Sequence, residues 1–299
     1  MDSGVLGAFL KVALGVAIGL PLVVYLLQDR LMFYPQPLSQ ARRAQVAARF
    51  PAVEEIMLRA PDGTSVHAWH VRAAPASPLA LYFGGNAEEV SWMLDVVGDP
   101  RAGATPGVSW MLLDYRGYGA SGGSPSEAAL VADARMLFDH ARAQAERAEG
   151  SRPIFAFGRS LGSGVAVALA ASRPLAGEIL VAPYDSAVAV AKRYYPYLPV
   201  DWMMKHRFES VVHAPQMRIP LLCVIAERDE VIPPVHAERL FAAWGGPKRK
   251  LMLREARHND ADGADMWREV REFLRESRRR GQTPVDNSNA IDGPRLPPS

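Results

Sequence analysis

One serine stands between two glycines where a short apolar run meets a longer apolar segment. Ser160 is the central residue of Gly-Arg-Ser-Leu-Gly at 158–162, which fits the pattern Gly-x-Ser-x-Gly. Residues 154–157 are typical of a buried strand, and the Ala-, Val- and Leu-rich residues after the serine favour a buried helix. A tight strand-to-helix turn lifts a serine hydroxyl above the sheet edge, where it can attack a carbonyl carbon. The pattern therefore predicts a nucleophile; a glycine-rich turn that only joins two elements is the alternative.

A serine hydroxyl needs a neighbouring base, and that base needs a carboxylate to orient it. Two later residues have the required types, and they follow the serine in the required chain order. Asp229 comes directly after the apolar run 221–226, and His258 comes after the last strand-like run, 250–254. Both are therefore expected at the sheet edge that carries Ser160. The sequence therefore predicts a catalytic triad. The alternatives are that Asp229 only caps a helix and that His258 is an ordinary residue of a surface loop.

The oxyanion that forms during acyl transfer needs hydrogen-bond donors. The backbone N–H of Leu161, directly after the nucleophile, is the first predicted donor. The second is expected in the loop Gly-Gly-Asn-Ala at 84–87, where Asn86 is the predicted donor. The alternative is that these residues form an ordinary loop between a strand and a helix. This chemistry requires neither a metal ion nor an organic cofactor, and none is predicted.

Strand-like and helix-like runs alternate along the chain, which favours an α/β fold with a mostly parallel sheet and helices on both faces. An Asp62-Gly63 turn inside residues 53–72 predicts a hairpin at one edge of the sheet. The sequence Ser-Pro-Ser-Glu at 124–127 reads as a capping box that starts a helix. Six runs are predicted to be buried strands: 79–83, 108–114, 154–157, 179–182, 221–226 and 250–254.

An insertion at 183–219 is rich in aromatic residues, Met and Pro, and it would rise from the carboxyl ends of the strands, where ligands bind in such sheets. We predict that it forms a short cap or lid. Tyr184 and Asp185, at its start, are candidate substrate-binding residues.

The first residues indicate attachment to a membrane. Residues 5–27 are almost entirely apolar and are interrupted only by Lys11, and about 20 such residues span a bilayer as a helix. A cleavable signal peptide is the alternative, but no small-residue cleavage site follows the run. We predict an anchor helix at 1–30, a folded domain at 50–277 and a flexible polar tail at 278–299. The arginines that follow the run leave the orientation in the membrane open.

Composition excludes several other classes of protein. The chain has 299 residues, of which 49% are hydrophobic, and its formal net charge is +2. Such a chain can bury a sizeable core, and no nucleic-acid partner is expected from so small a charge. A single cysteine, Cys223, excludes an internal disulfide.

Taken together, these motifs resemble the α/β-hydrolase superfamily, and more narrowly its membrane-anchored abhydrolase-domain serine hydrolases. The resemblance covers roughly residues 53–277. It rests on Phe-Gly-Gly-Asn-Ala at 83–87, Asp-Tyr-Arg-Gly-Tyr-Gly-Ala-Ser-Gly at 114–122, the Ser160 pentapeptide, and His-Asn-Asp at 258–260. Two residues depart from the family pattern, because Gly84 replaces the usual His and Glu88 replaces the usual Gly. The 114–122 motif is expected to fix a loop beside the site.

The resemblance implies a membrane-anchored hydrolase of esters or thioesters of acyl or lipid-like substrates, which contacts the bilayer through residues 5–27. An aminopeptidase-like amide hydrolase is the first alternative, and for it Asp185 or Glu227 could bind a substrate amine. An inactive, membrane-tethered binding module with the hydrolase fold is the second alternative. The changed oxyanion loop makes the second alternative conceivable, whereas an intact triad argues against it.

Overall fold

One mixed sheet organises the chain in a computed structural model that describes residues 3–147 and 152–282. Its strand order is β1-β2-β4-β3-β5-β6-β7-β8. The pairs β1–β2 and β2–β4 are antiparallel, and all other neighbours are parallel. The strands are β1 (Glu54–Arg59), β2 (Ser65–Val71), β3 (Leu79–Phe83), β4 (Ser109–Leu113), β5 (Ile154–Arg159), β6 (Gly177–Val181), β7 (Leu221–Ala226) and β8 (Lys248–Leu253).

Helices cover both faces of this sheet, so alternate residues of a strand enter two separate cores. In β3, Leu81 and Phe83 belong to one core, whereas Tyr82 points to the other. This two-sided burial explains why the central strands are continuously apolar. The helices are α1 (Ser3–Met32), α2 (Gln40–Arg49), α3 (Leu94–Val97), α4 (Glu127–Arg147), α5 (Leu161–Ala170), α6 (Ala187–Tyr194), α7 (Val200–Met203), α8 (Ser210–His213), α9 (Pro234–Ala243) and α10 (Ala264–Gln282).

The predicted hairpin and the parallel strands are confirmed, with small changes at their ends. Gly63 has a φ of +85°, a value that favours glycine, and it lies in the turn between β1 and β2. At the carboxyl terminus the prediction is partly wrong. The helix α10 continues to Gln282, so residues 278–282 of the predicted flexible tail are helical, whereas 283–299 lie outside the described residues.

The insertion at 183–219 connects β6 to β7 and contains α6, α7 and α8. The carboxyl-terminal end of α1 bonds to this cap. Gln28 Nε2 donates to the carbonyl oxygen of Met203 at 3.0 Å, and Gln28 Oε1 accepts the backbone N–H of Lys205 at 2.7 Å. His206 Nε2 lies 2.8 Å from Asp29 Oδ1. The end of α1 is therefore joined to the folded domain through the cap.

The predicted membrane-spanning segment, 5–27, lies within α1, and many side chains in its first half fall outside the part of the chain that the structure describes. Within 3–147 and 152–282, no helix combines the length and the hydropathy that a bilayer crossing requires. The prediction of a transmembrane helix is therefore not supported.

Candidate active site

The turn between β5 and α5 holds Ser160 in a strained conformation. Its φ is 51° and its ψ is −119°, outside the regions that residues with a side chain usually adopt. The two flanking glycines permit this turn because they have no side chain, which lets neighbouring backbone segments lie close to them. A Cβ at Gly158 would lie 2.5 Å from the carbonyl oxygen of Gly162, and one at Gly162 would lie 2.0 Å from that of Phe83. No side chain fits in either place, which explains the Gly-x-Ser-x-Gly spacing.

The three predicted triad residues meet at this turn. His258 Nε2 lies 2.9 Å from Ser160 Oγ, and His258 Nδ1 lies 2.7 Å from Asp229 Oδ2. All three residues are buried. An ionised carboxylate only accepts hydrogen bonds, so Nδ1 carries the proton and Nε2 offers its lone pair to the serine hydroxyl.

Backbone N–H groups hold the aspartate of this set in place. Asp229 Oδ1 accepts the N–H of Val231 at 2.9 Å and that of Ile232 at 2.7 Å. The other oxygen of this carboxylate is thereby left for the imidazole of His258. The loop after β7 thus orients the carboxylate before any substrate is bound.

The predicted oxyanion donors lie on two sides of the nucleophile. Leu161 is the first residue of α5, and the first amides of a helix lack partners within the helix. A Cβ at Gly85 would lie 3.5 Å from the Cβ of Ser160, so the loop after β3 is packed against the nucleophile. Backbone donation by Leu161 and Asn86 to an oxyanion stays a prediction.

The side chain of Asn86 fastens this loop to the segment that follows α1. Its Nδ2 donates to the carbonyl oxygen of Met32 at 2.6 Å. Its Oδ1 accepts the N–H of Tyr34 at 3.0 Å and the hydroxyl of Tyr118 at 2.7 Å. The position of the oxyanion loop therefore depends on the end of α1.

A buried carboxylate, which sequence reasoning noted only as a departure from the family pattern, anchors the same loop from the other side. Glu88 Oε2 accepts the N–H of Gly85 at 2.7 Å and Arg159 Nη1 at 3.0 Å. Its Oε1 accepts the hydroxyl of Tyr82 at 2.5 Å and Trp92 Nε1 at 2.8 Å. Because Arg159 precedes the nucleophile, this network joins the oxyanion loop directly to the serine turn.

The two departures from the family pattern form one structural feature. A Cβ at Gly84 would lie 3.0 Å from Glu88 Oε1 and 3.1 Å from the Cγ1 of Val90. A side chain at position 84 would thus compete with the Glu88 carboxylate for the same space. The Glu88 side chain thus provides the anchoring of the loop that glycine at position 84 cannot provide.

The 114–122 motif supports the loop, as predicted. Tyr115 donates its hydroxyl to the carbonyl oxygen of Gly84 at 3.1 Å, and Tyr118 bonds to Asn86. Burial raises the pKa of Tyr115 well above its usual value, so its hydroxyl stays protonated and remains a donor. Asp114 Oδ2 lies 2.7 Å from His67 Nδ1 and fixes the start of the motif.

Comparisons with known proteins agree with this architecture. Residues 84–212 match the family described as serine aminopeptidase, S33. An uncharacterized protein of Mycobacterium tuberculosis is 32% identical over 272 residues, which cover 89% of this chain and 94% of that protein. The alpha/beta hydrolase domain-containing protein WAV2 of Arabidopsis thaliana is 28% identical over 234 residues, which cover 72% of this chain and 75% of WAV2. The chain belongs to the α/β-hydrolase superfamily.

Two further similarities concern location and fold. An uncharacterized membrane protein of Saccharomyces cerevisiae is 27% identical to this α/β-hydrolase over 260 residues, which cover 84% of this chain and 90% of the yeast protein. Among solved structures, an esterase of Pyrococcus furiosus superposes with a TM-score of 0.61, covering 82% of this chain and 97% of the esterase. With 15% sequence identity, this likeness shows the fold alone.

The candidate substrate-binding residues of this hydrolase have contacts inside the protein. Tyr184 is buried and donates its hydroxyl to the carbonyl oxygen of Leu161 at 3.1 Å. Asp185 Oδ1 accepts the N–H of Ser186 and lies 2.8 Å from Nδ1 of His236, which lies in α9. In the sequence, only the residue types, an aspartate and a histidine, could have indicated that Asp185 and His236 pair. Substrate contact by Tyr184 and Asp185 stays a prediction.

Proposed function

We propose that this α/β-hydrolase is a serine hydrolase that cleaves carboxylic esters or thioesters of acyl substrates. The observation that carries the proposal is the continuous hydrogen-bond chain from Ser160 Oγ through the imidazole of His258 to the carboxylate of Asp229. Esterases share the fold, which agrees with ester chemistry.

In the first half-reaction, Ser160 Oγ attacks the carbonyl carbon and its proton passes to His258 Nε2. Asp229 stabilises the imidazolium, and the N–H groups of Leu161 and Asn86 receive the oxyanion. Collapse of the tetrahedral intermediate breaks the bond to the alcohol or thiol, which leaves with the proton from Nε2. Water then attacks the acyl-enzyme, gives its proton to the same nitrogen and releases the acid as the serine hydroxyl is restored.

A fluorophosphonate probe tests the nucleophile. It should label the wild-type protein and not the Ser160→Ala variant, and the His258→Ala variant should be labelled far more slowly. Ser163→Ala is a matched control, since Ser163 is buried in α5 one turn away and its hydroxyl donates to the carbonyl oxygen of Ser160 and not to His258. Equal labelling of the wild type and Ser160→Ala would sink the proposal, and a wild type that takes up no label would favour a binding module.

An amide hydrolase is the second candidate, and the description of the matched family favours it. An aminopeptidase needs a free carboxylate for the substrate amine. The Asp185 carboxylate is engaged by Ser186 and His236, and Glu227 Oε2 accepts the N–H of Glu255 at 3.1 Å. We therefore favour esters. Turnover of amino-acid p-nitroanilides at a rate equal to that of p-nitrophenyl esters would reverse this preference.

We also propose that α1 associates with a lipid bilayer. Apolar side chains in its second half are open to solvent: Leu22 is 53% exposed and Leu26 is 63% exposed. Contiguous exposed apolar residues mark surfaces that contact membranes or proteins. The full chain should sediment with vesicles, and replacing both leucines by lysine should release it. Replacing Met57 and Val212 by lysine is the matched control, because these apolar residues are 53% and 58% exposed and lie outside α1; it should leave sedimentation unchanged.

A further inference from the structure

A cavity of about 420 Å³ lies between α1 and the cap. Its lining is mostly apolar and comes from both elements: Val24, Leu31 and Met32 on the first, and Leu198, Met203 and Met204 on the second. Gln28 also lines it, but both ends of that side-chain amide are already bonded to the cap backbone. The cavity therefore suits an apolar ligand.

The cavity walls are joined to two loops that border the nucleophile. On one side, Met32 accepts a hydrogen bond from Asn86 in the oxyanion loop. On the other side, Tyr194, which precedes the lining residue Tyr195, donates its hydroxyl to the carbonyl oxygens of Glu230 and Val231, at 2.8 Å and 3.0 Å. These two residues follow Asp229. The cavity lining is thus bonded directly to Asn86 through Met32 and Tyr34, and the segment that follows Asp229 is bonded to the residue next to the lining residue Tyr195.

We propose that this cavity binds the acyl chain of the substrate, so that α1 forms part of the substrate-binding site. The inference rests on the proposed esterase function. The carbonyl oxygen of a bound ester must point toward the oxyanion loop, so the chain attached to that carbonyl begins beside the loop that Met32 and Asn86 join. A methylene takes up roughly the volume of a water molecule, about 30 Å³, and the cavity therefore has room for on the order of ten carbons. Medium to long acyl chains are the expected substrates.

The test varies the acyl chain while the leaving group stays constant. In p-nitrophenyl esters from acetate to hexadecanoate, kcat/KM of the full-length protein should rise with chain length, by up to about fourfold per methylene. The rise should stop near the length that fills the cavity. A flat profile, or a preference for acetate, would overturn the proposal.

Substitutions that fill the cavity test whether the dependence of kcat/KM on chain length arises there. Met203→Trp on the cap and Leu31→Trp on α1 should each lower the ratio of kcat/KM for dodecanoate to that for acetate by about tenfold or more. Val212→Trp is the matched control, because Val212 lies on α8 of the cap, is 58% exposed and does not line the cavity. An unchanged ratio in both cavity variants would place the chain elsewhere.

Two measurements separate failure of this inference from failure of the proposed function. Loss of fluorophosphonate labelling in the wild type would overturn the serine mechanism, whereas intact labelling with no chain-length dependence would overturn only the acyl cavity. If the tryptophan variants do not fold, the wild-type protein still tests whether the cavity binds the acyl chain. Dodecyl fluorophosphonate should inactivate it faster than ethyl fluorophosphonate, and equal rates would overturn the cavity assignment.

Discussion

Removal of Glu88 should disable the oxyanion loop and leave the triad in place. The carboxylate binds the N–H of Gly85, the guanidinium of Arg159 and two aromatic donors, Tyr82 and Trp92. Breaking a buried ion pair by deleting one partner costs about 3–5 kcal/mol, because the other charge is left unpaired. The Glu88→Ala variant should lose stability of this order. Glu88→Gln keeps the shape and loses the charge, so about 1.5–3 kcal/mol is expected for it.

The effect on activity follows from the position of Gly85. Its N–H bond to Glu88 fixes the loop that carries the predicted donor Asn86. Loss of one oxyanion donor costs about 100-fold to 1,000-fold in kcat, so Glu88→Gln should lower kcat by about 100-fold. KM should change little, because the lost interaction is made only in the transition state. Steady-state hydrolysis of p-nitrophenyl esters measures both constants, and chemical unfolding measures the stability.

The neighbouring carboxylate is the matched control. Glu89 accepts the N–H and hydroxyl of Ser91 and caps the short helix at 90–93. Glu89→Ala should cost about 1 kcal/mol of stability, as loss of a cap does, and should leave kcat unchanged. If Glu88→Gln folds and keeps kcat within about threefold of the wild type, the claim that this carboxylate positions the loop is wrong.

A double-mutant cycle tests the competition for space between positions 84 and 88. Gly84→Ala places a methyl group 3.0 Å from the Glu88 carboxylate and should lower kcat and stability in the wild type. In the Glu88→Gly background the contact with the carboxylate is gone and the 3.1 Å contact with Val90 Cγ1 remains, so the cost of the alanine should shrink. A coupling free energy above about 1 kcal/mol is expected, whereas additive effects would contradict the shared space.

Three further predictions concern the core. Glu178 is fully buried on β6, and burial raises its pKa from 4.5 to about 8. Between these values the folded state keeps a proton that the unfolded state releases, so stability should fall by up to about 1.4 kcal/mol per pH unit as the pH rises. Urea unfolding should show this slope, Glu178→Gln should remove it, and equal slopes in both proteins would refute it. Burial also raises the pKa of Cys223 to about 12, so iodoacetamide should not label the folded protein at neutral pH, and labelling without unfolding would contradict this. Gly162→Ala should prevent folding or cost more than about 4 kcal/mol, whereas Gly263→Ala, where no atom lies within 4 Å of the added Cβ, should stay within about 0.5 kcal/mol in thermal unfolding.

The buried strands could be predicted from the sequence because their physical cause is local. The strands β3 and β7 begin and end at the predicted residues, since both faces of each are covered and every position is apolar. The positions of Ser160, Asp229 and His258 followed from chain order, because each residue ends or follows a parallel strand and such strands end at one edge. The fold and the meeting of these three side chains could therefore be predicted from the sequence.

Contacts between segments that are far apart in the sequence could not be predicted from local sequence patterns. The capping box predicted at 124–127 did not form as expected: α4 begins at Glu127, and Ser126 Oγ accepts the N–H of Ala129. The Glu127 carboxylate instead accepts the N–H groups of Arg207 and Phe208 in the cap. A tertiary partner replaced the local one. Glu88 and Arg159 are likewise 71 positions apart, so no local pattern could reveal their bond.

The first helix is bonded to the folded domain at its carboxyl-terminal end. Predicted as a separate anchor at 1–30, it ends in residues that bond to the cap through Gln28 and Asp29. Directly after it, Met32 and Tyr34 bond to the side chain of Asn86, which belongs to the oxyanion loop. A displacement of this helix must therefore move, or break contact with, the loop that carries the predicted oxyanion donor Asn86. The proposed membrane attachment and the proposed chemistry share these hydrogen bonds, so a change that loosens the helix should lower kcat as well as any binding to vesicles.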